Sequence, residues 1–297
     1  MEMNVQTLHP LTFILSAPRG YPRGGEESFT INPSPPSGGE GEGEGDFHAK
    51  RTIVGVIPAR LASTRLPGKV LRPICGRPML HHVFARAGRC GLLDDLIVAT
   101  DAKEVYDYCV CNRMKVCMTG ATHISGTDRI HEVMQSLPAD IYVNIQGDEP
   151  MIRPGHLEAL LQPFLNDAAV QVSTLKTPIT ADQAHNPNCV KVVTDVDGRA
   201  LYFSRAAIPY NRDETTEARY FKHLGLYAYT RSALDRFHRL PPSPLEQTEK
   251  LEQLRFLEHG IPIQVAETPY DTIGVDTEDD LLLVEQYLRN LDPPEHI

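Results

Sequence analysis

The stretch Val54-Gly55-Val56-Ile57-Pro58-Ala59-Arg60-Leu61-Ala62-Ser63-Thr64-Arg65-Leu66-Pro67-Gly68-Lys69 decides how the chain is read. Its apolar opening has the pattern of a buried β-strand, and it runs directly into a loop holding three cations and two helix breakers. Pro67 stiffens that loop, Gly68 permits a positive φ, and Arg60, Arg65 and Lys69 supply the charge to neutralise a polyphosphate. The combination predicts a phosphate-binding turn with a nucleoside triphosphate as its ligand; the alternative is a solvated basic loop after an ordinary strand. The spacing matches neither G-x-x-x-x-G-K-S/T nor G-x-G-x-x-G, so the chemistries that accompany those patterns do not follow.

Outward from this stretch, short apolar segments alternate with helical periodicities, which is the pattern of an α/β sheet covered on both faces. Strands are expected at residues 52–57, 96–100, 115–118 and 141–145, and helices at 78–89, 102–112 and 127–137, with Pro78 in a first turn and Ser125 or Thr127 as a cap. Ligands in such sheets gather beyond the carboxyl ends of the strands, where the loops 58–69, 100–101, 123–129 and 146–150 would meet. The later pattern differs. Residues 189–194 and 200–204 read as a hairpin around Asp197-Gly198, followed by a polar insertion at 211–220, a strand at 224–229, a helix starting near Pro244 and a last helix at 278–291.

Within that frame, Asp148 follows an apolar strand, between Gly147 and Pro150, where a carboxylate can hold a hard divalent cation. Asp276 is the second candidate, with two readings open: a metal ligand, or a cap on the last helix, which Thr277 could supply equally well. Ser125-Gly126-Thr127-Asp128-Arg129 places donors at a helix start, either to hold a nucleotide or simply as a capping box. An acidic acceptor needs cations and hydroxyl partners, and Gln146, Arg205, His223 and Tyr227 are available; a hydrogen-bonded structural histidine is the alternative for His223. On the helix from Pro244, Glu246, Glu249 and Gln253 share a face, as polar stripes on exposed helices also do. His81 and His82 diverge on a helix and cannot aim at one metal.

The 297 residues, 41% hydrophobic, allow a substantial core, and a net charge of −10 argues against a protein that coats nucleic acid or an anionic membrane. The six cysteines show no zinc-site spacing and are expected as free thiols in a reducing compartment. No apolar run approaches the length of a membrane span. Residues 1–49, rich in Pro, Gly, Ser and Glu, are expected to be a disordered extension, either a tether or an over-extended start.

Several motifs recur in order: Ile57-Pro58-Ala59-Arg60, Arg65-Leu66-Pro67-Gly68-Lys69, Ala99-Thr100-Asp101, Ser125-Gly126-Thr127-Asp128-Arg129, Asn144-Ile145-Gln146-Gly147-Asp148-Glu149-Pro150, Tyr202-Phe203-Ser204-Arg205, His223-Leu224-Gly225 and Gly274-Val275-Asp276-Thr277. With them, the run from Thr52 to about Asn290 resembles the 3-deoxy-D-manno-octulosonate (Kdo) cytidylyltransferases, or CMP-Kdo synthetases. The resemblance implies a mostly parallel, Rossmann-like nucleotidyltransferase sheet flanked by helices in residues 50–297, with a smaller acceptor-binding and dimerisation lobe at about 186–240. It implies a homodimer that uses CTP and Kdo and depends on magnesium, with Asp148 and Asp276 as the metal ligands, while the free thiols point to the cytoplasm. It assigns Arg60, Ser63, Arg65, Lys69, Thr100, Asp101, Ser125, Gly126, Thr127 and Arg129 to the nucleotide, with Arg65 and Lys69 on the phosphates. Gln146, Arg205, His223, Tyr227, Glu246, Glu249 and Gln253 fall to Kdo. Another acidic sugar, another nucleotide, or a silent nucleotide-binding scaffold are the competing expectations.

Overall fold

The computed structural model describes residues 50–62, 65–123, 125–213 and 218–290; Ser63 and the expected extension 1–49 lie outside the described residues. In β1 (Ile53–Pro58) the apolar residues are buried without polar alternation, as a strand covered on both faces requires. A single 3-10 turn at Lys69–Leu71 and a short ribbon, β2 (Pro73–Ile74) with β3 (Arg77–Pro78), lead into α1 (Met79–Ala87). Next come β4 (Asp95–Thr100), α2 (Lys103–Cys111), β5 (Val116–Met118), α3 (Gly126–Ser136), β6 (Ile141–Asn144) and α4 (Pro154–Asn166). The second half comprises β7 (Val172–Ile179), α5 (Ala181–Ala184), β8 (Lys191–Thr194), β9 (Ala200–Ser204), β10 (Tyr220–Thr230), α6 (Arg231–Arg239), α7 (Pro244–Glu249), α8 (Leu254–Glu258), β11 (Gln264–Glu267) and α9 (Glu278–Asn290).

The main sheet runs β11-β7-β10-β6-β1-β4-β5. It is mixed. β1 pairs in parallel with β4 and β6, and β4 with β5, so all four end on one edge. β10 enters antiparallel between β6 and β7, while β11 lies parallel to β7. The β8–β9 hairpin forms as expected and joins the sheet through the pairing of Lys191 with Lys222 of β10. Alternate residues of the strands feed opposite faces. Ile57 and Val98 pack on one side with Leu80, Val105 and Leu160, and Val56 and Ile97 on the other with Ile130, Phe237 and Phe256. A third cluster joins Leu66, Met151 and Val275 to Leu281, Val284 and Leu288 of α9. That small core holds the β1 loop against the segment leading into α9.

The first four expected strands appear within one residue of their predicted bounds. Two expectations need correction. Pro78 stands at the N-cap of α1 rather than in its first turn. The helix from Pro244 does not continue to Gln253: Lys250 takes a left-handed conformation (φ 55°, ψ 46°) that ends α7, and Gln253 is the N-cap of the separate α8. Glu246, Glu249 and Gln253 therefore do not share a helix face.

Candidate functional site

The loops after β1 and β6, the start of α3 and the segment before α9 enclose a cleft of about 740 Å³. Backbone requirements bring them together. A Cβ on Gly147 would lie 2.9 Å from the Pro58 carbonyl oxygen, so the β6 loop can cross the end of β1 only with glycine there. Gly68, at φ 66°, starts the turn that directs Lys69 inward. The Val275 amide donates to the Asp148 carbonyl at 2.9 Å and staples the two acidic segments to each other.

The result is a charged centre. Lys69 Nζ lies 2.6 Å from Asp148 Oδ2 and 3.0 Å from Asp276 Oδ1, and Arg65 Nη2 lies 2.9 Å from Asp276 Oδ2. Burial alone would lower the Lys69 pKa; attraction to the two carboxylates overrides it and holds the ammonium above the ordinary lysine value. The helix cap at α9 falls to Thr277 and Asp280: Thr277 Oγ1 accepts from the Asp280 amide, and Asp280 Oδ2 accepts from the amides of Asp276 and Thr277. The Asp276 carboxylate is thereby left to face cations. Two carboxylates on separate segments, converging on one positive charge, are a donor set that fits magnesium. No group of three or more acidic, His or Cys side chains gathers among the described residues.

Arg60, Arg65, Lys69, Ser125, Gly126, Arg129, Gln146, Asp148 and Asp276 all line this cleft. Ser125 and Asp128 form the capping box that orders α3, and Ser125 and Gly126 at its start line the cleft. Asp101 and Thr100 lie behind the lining. Asp101 pairs at 3.0 Å with Arg129, and Thr100 Oγ1 accepts from the Ala102 amide. Thr127 is buried and donates to Glu252 at 2.9 Å.

The expected acceptor residues are distributed differently. Gln146 reaches the cleft and donates to the Gly225 carbonyl at 3.1 Å. Arg205, His223, Tyr227, Glu246, Glu249 and Gln253 are not among the cleft-lining residues. The Arg205 guanidinium donates to the carbonyls of Glu249 and Pro187, and the Glu249 carboxylate accepts from Ser204 Oγ and the Arg205 amide. Glu246 is held by Arg255 and by the Ser243 amide, an ion pair and a cap rather than a free sugar contact. His223 packs on Phe203, with Nε2 3.0 Å from Thr174 Oγ1; burial and then the charge of Lys222 push its pKa down to about 3, so the ring is neutral. Tyr227 stands opposite Asn144 in the β10–β6 register, and the Tyr227 hydroxyl and Asn144 Oδ1 are both buried without a well-formed hydrogen bond.

Sequence reasoning passed over three residues here. Asn144 is a polar side chain at the end of a buried strand, a signal that was available. Glu252 lies in a run of similar glutamates, which hides it; desolvation raises its carboxyl pKa. Glu149 is buried beside Asp148, and burial followed by repulsion from Asp148 raises its pKa to about 7. The cysteines are all free, and burial pushes the Cys109 and Cys117 thiols up to about 12. Another recess, around Arg51, Asp140, Arg231 and Asp235 at the other end of β6, has its charges committed within the fold: Asp140 accepts from the Thr52 amide, Asp235 pairs with Arg239, and the two arginines bond backbone carbonyls.

Comparison with known proteins shows the family of the chain. The family described as cytidylyltransferase matches residues 54–265. The 3-deoxy-manno-octulosonate cytidylyltransferase of Koribacter versatilis is 57% identical over 237 residues, covering 80% of this chain and 90% of that protein. The enzyme of the same description from Acidobacterium capsulatum is 58% identical over 236 residues, covering 80% and 96%. A solved structure of CMP:2-keto-3-deoxy-manno-octonic acid synthetase complexed with CTP superposes with a TM-score of 0.78 at 47% identity, covering 80% of this chain and 98% of that one. Among the described residues no helix is long and apolar enough to cross a membrane.

Proposed function

The chain belongs to the 3-deoxy-manno-octulosonate cytidylyltransferase family, and from its cleft we infer how it transfers CMP from CTP to Kdo with release of pyrophosphate. The observation that carries the inference is the convergence of Lys69, Asp148 and Asp276 at the strand ends, inside a cleft that also holds Arg60, Arg65 and the start of α3.

The anomeric hydroxyl oxygen of Kdo forms a bond to the α-phosphorus of CTP, the bond from that phosphorus to the bridging oxygen breaks, and the hydroxyl proton passes to solvent. Arg60, Arg65 and Lys69 bind the triphosphate, and Lys69 offsets the charge that collects on departing pyrophosphate. Gly126 presents the N-terminal end of α3 to the anion, with Ser125 ordering that turn. Arg129, fixed by Asp101, gives the nucleotide side a rigid donor. Asp148 and Asp276 would hold magnesium, which supplies Lewis-acid polarisation of the α-phosphoryl group and neutralises phosphate charge. Ser63 completes the nucleotide assignment by resemblance.

For the acceptor we assign Gln146, Arg205, His223 and Tyr227, and add Asn144 and Glu252. The support is chemical: Tyr227 and Asn144 offer buried polar atoms in need of partners, which sugar hydroxyls can satisfy, and Arg205 is the cation for the acid. Glu249 fixes Arg205, Gln253 flanks Glu252, and Glu246 secures α7. Homodimerisation through the part at about 186–240 is supported by the exposure of Leu201 (61%) and Tyr210 (85%). The use of CTP and six free thiols support a cytoplasmic setting. Residues 50–297 are taken as the catalytic unit and 1–49 as an extension outside it.

A panel of CTP, UTP, ATP and GTP against Kdo, sialic acid and sugar 1-phosphates, read by pyrophosphate release, tests the assignment. Only CTP with Kdo should turn over rapidly. A faster alternative pair would replace the substrates, and nucleotide binding without turnover under any pair would make the chain a scaffold.

A further inference from the structure

Arg86, Arg89 and Arg153 meet around a recess of about 380 Å³ that shares no lining residue with the catalytic cleft. Arg89 and Arg153 place two guanidinium groups in one recess, where like charges repel, in a chain whose net charge of −10 leaves carboxylates to spare. Only Glu158 is present in the lining, and neither Arg89 nor Arg153 forms an ion pair among the described residues. The recess is built rather than incidental. Arg86 is buried, 5% exposed, and its Nε donates to the Ile152 carbonyl at 2.8 Å. The Arg153 guanidinium carbon lies 5.1 Å from the centre of the Tyr270 ring. Tyr270 can approach the start of α4 because residue 155 is glycine; a Cβ there would come within 3.2 Å of the ring. His156 binds the Tyr270 carbonyl through Nε2 at 3.2 Å, and its pKa is lowered first by burial and then also by the charges of Arg153 and Arg86. The N-terminal turn of the 13-residue α4 adds its own positive end to the same space.

We propose that Arg89 and Arg153, on a frame of Arg86 and Tyr270, form a second anion site that takes a small phosphate-bearing molecule. Forked guanidinium donors match the tetrahedral oxygens of a phosphoryl group, and the recess has room for a phosphate monoester or free phosphate. Arg153 and Tyr270 stand on the same two chain segments as Asp148 and Asp276, so a bound anion ties together the segments that carry the catalytic carboxylates. Binding is independent of the metal-ligand reading of Asp148 and Asp276; only its relevance to catalysis rests on that reading.

The test titrates inorganic phosphate, and in a second arm glycerol 3-phosphate, into the full chain, read by phosphorus NMR line broadening and by melting temperature against chloride at matched ionic strength. Lys69→Ala serves as the background in which cleft binding is weakened. Saturable binding and a rise in melting temperature are expected in both the unaltered chain and Lys69→Ala, with affinity at least ~10-fold weaker in Arg89→Gln/Arg153→Gln. The tighter of the two probes identifies free phosphate or an organic phosphate as the source. Equal stabilisation of all forms would be a general salt effect and would overturn the site. Binding lost with Lys69→Ala but kept in the double variant would assign the anion to the cleft. Should circular dichroism show the double variant unfolded, Arg89→Gln alone carries the test, since Arg89 is exposed; unchanged affinity there would also overturn it.

Discussion

The strand ends proposed for the nucleotide and the region around β8, β10 and α7 proposed for the acceptor handle charge by opposite means. At the ends of β1 and β6, charged side chains project into open space: Asp148 and Asp276 keep 33% and 45% of their side-chain surface exposed, and Lys69 bridges them. Around β8, β10 and α7, charges are tied into the fold, as when the fully buried Lys191 donates to the carbonyls of Asn186, Cys189 and Arg205, and the groups left over are neutral hydroxyls, an amide and His223. Open charge can be removed at a cost to catalysis alone. Internal polar contacts cannot be removed without loosening the structure, because each deletion strands a desolvated partner.

The largest effect separating the halves is expected at Lys69. Lys69→Ala should lower kcat by a factor of about 10² to 10³, on the order of 3 kcal/mol, with the melting temperature little changed. A selective rise in the KM for Kdo, with kcat intact, would move Lys69 to the acceptor half. Lys191→Met is the mirror experiment. Three carbonyls lose their donor, and urea denaturation should show a loss on the order of 3 kcal/mol, whereas a variant as stable as the parent would show that water or a rearrangement replaces the ammonium.

A smaller, pH-dependent effect belongs to His223. Its folded pKa of about 3 lies below the unfolded value of 6.5, so the unfolded chain binds the extra proton between those limits. Its contribution to stability is complete above pH 6.5 and is lost progressively as the pH falls toward 3. His223→Gln should remove a slope of up to ~1.4 kcal/mol per pH unit from the stability curve measured between pH 5 and 6.5. Identical slopes in the two proteins would mean that His223 titrates normally and lies in a wetter acceptor half than the packing indicates. The smallest effect is expected from deleting residues 1–49, which carry none of the matched motifs; turnover and melting temperature should match the full chain, and a large fall in either would give that segment a place at one of the two halves.

The same contrast explains how far the sequence could be read. Val54 to Lys69 announces itself because an apolar strand, a glycine and three cations are consecutive, and most of the nucleotide residues lie in such strand-plus-loop units. Which residue caps α9 depended on the side chain that the Asp276 and Thr277 amides select; they select Asp280, and the Asp276 carboxylate pairs with Arg65 and Lys69 instead. The acceptor half was harder. A helical spacing of 246, 249 and 253 presumes an unbroken helix, yet a lysine at position 250 gives no warning of a left-handed turn. The antiparallel entry of β10 brings Tyr227 opposite Asn144 across 83 positions of sequence (227 − 144), a pairing that no local period encodes.

The central claim is that Asp148 and Asp276 share one cation position. It is tested most directly by titrating magnesium against turnover for Asp148→Asn and Asp276→Asn, with circular dichroism confirming the fold. Asparagine keeps the size and one oxygen of aspartate but removes the charge. Both folded variants are predicted to need far more magnesium and to recover only part of the rate at saturation; a magnesium curve unchanged from the parent in either variant would contradict the shared site.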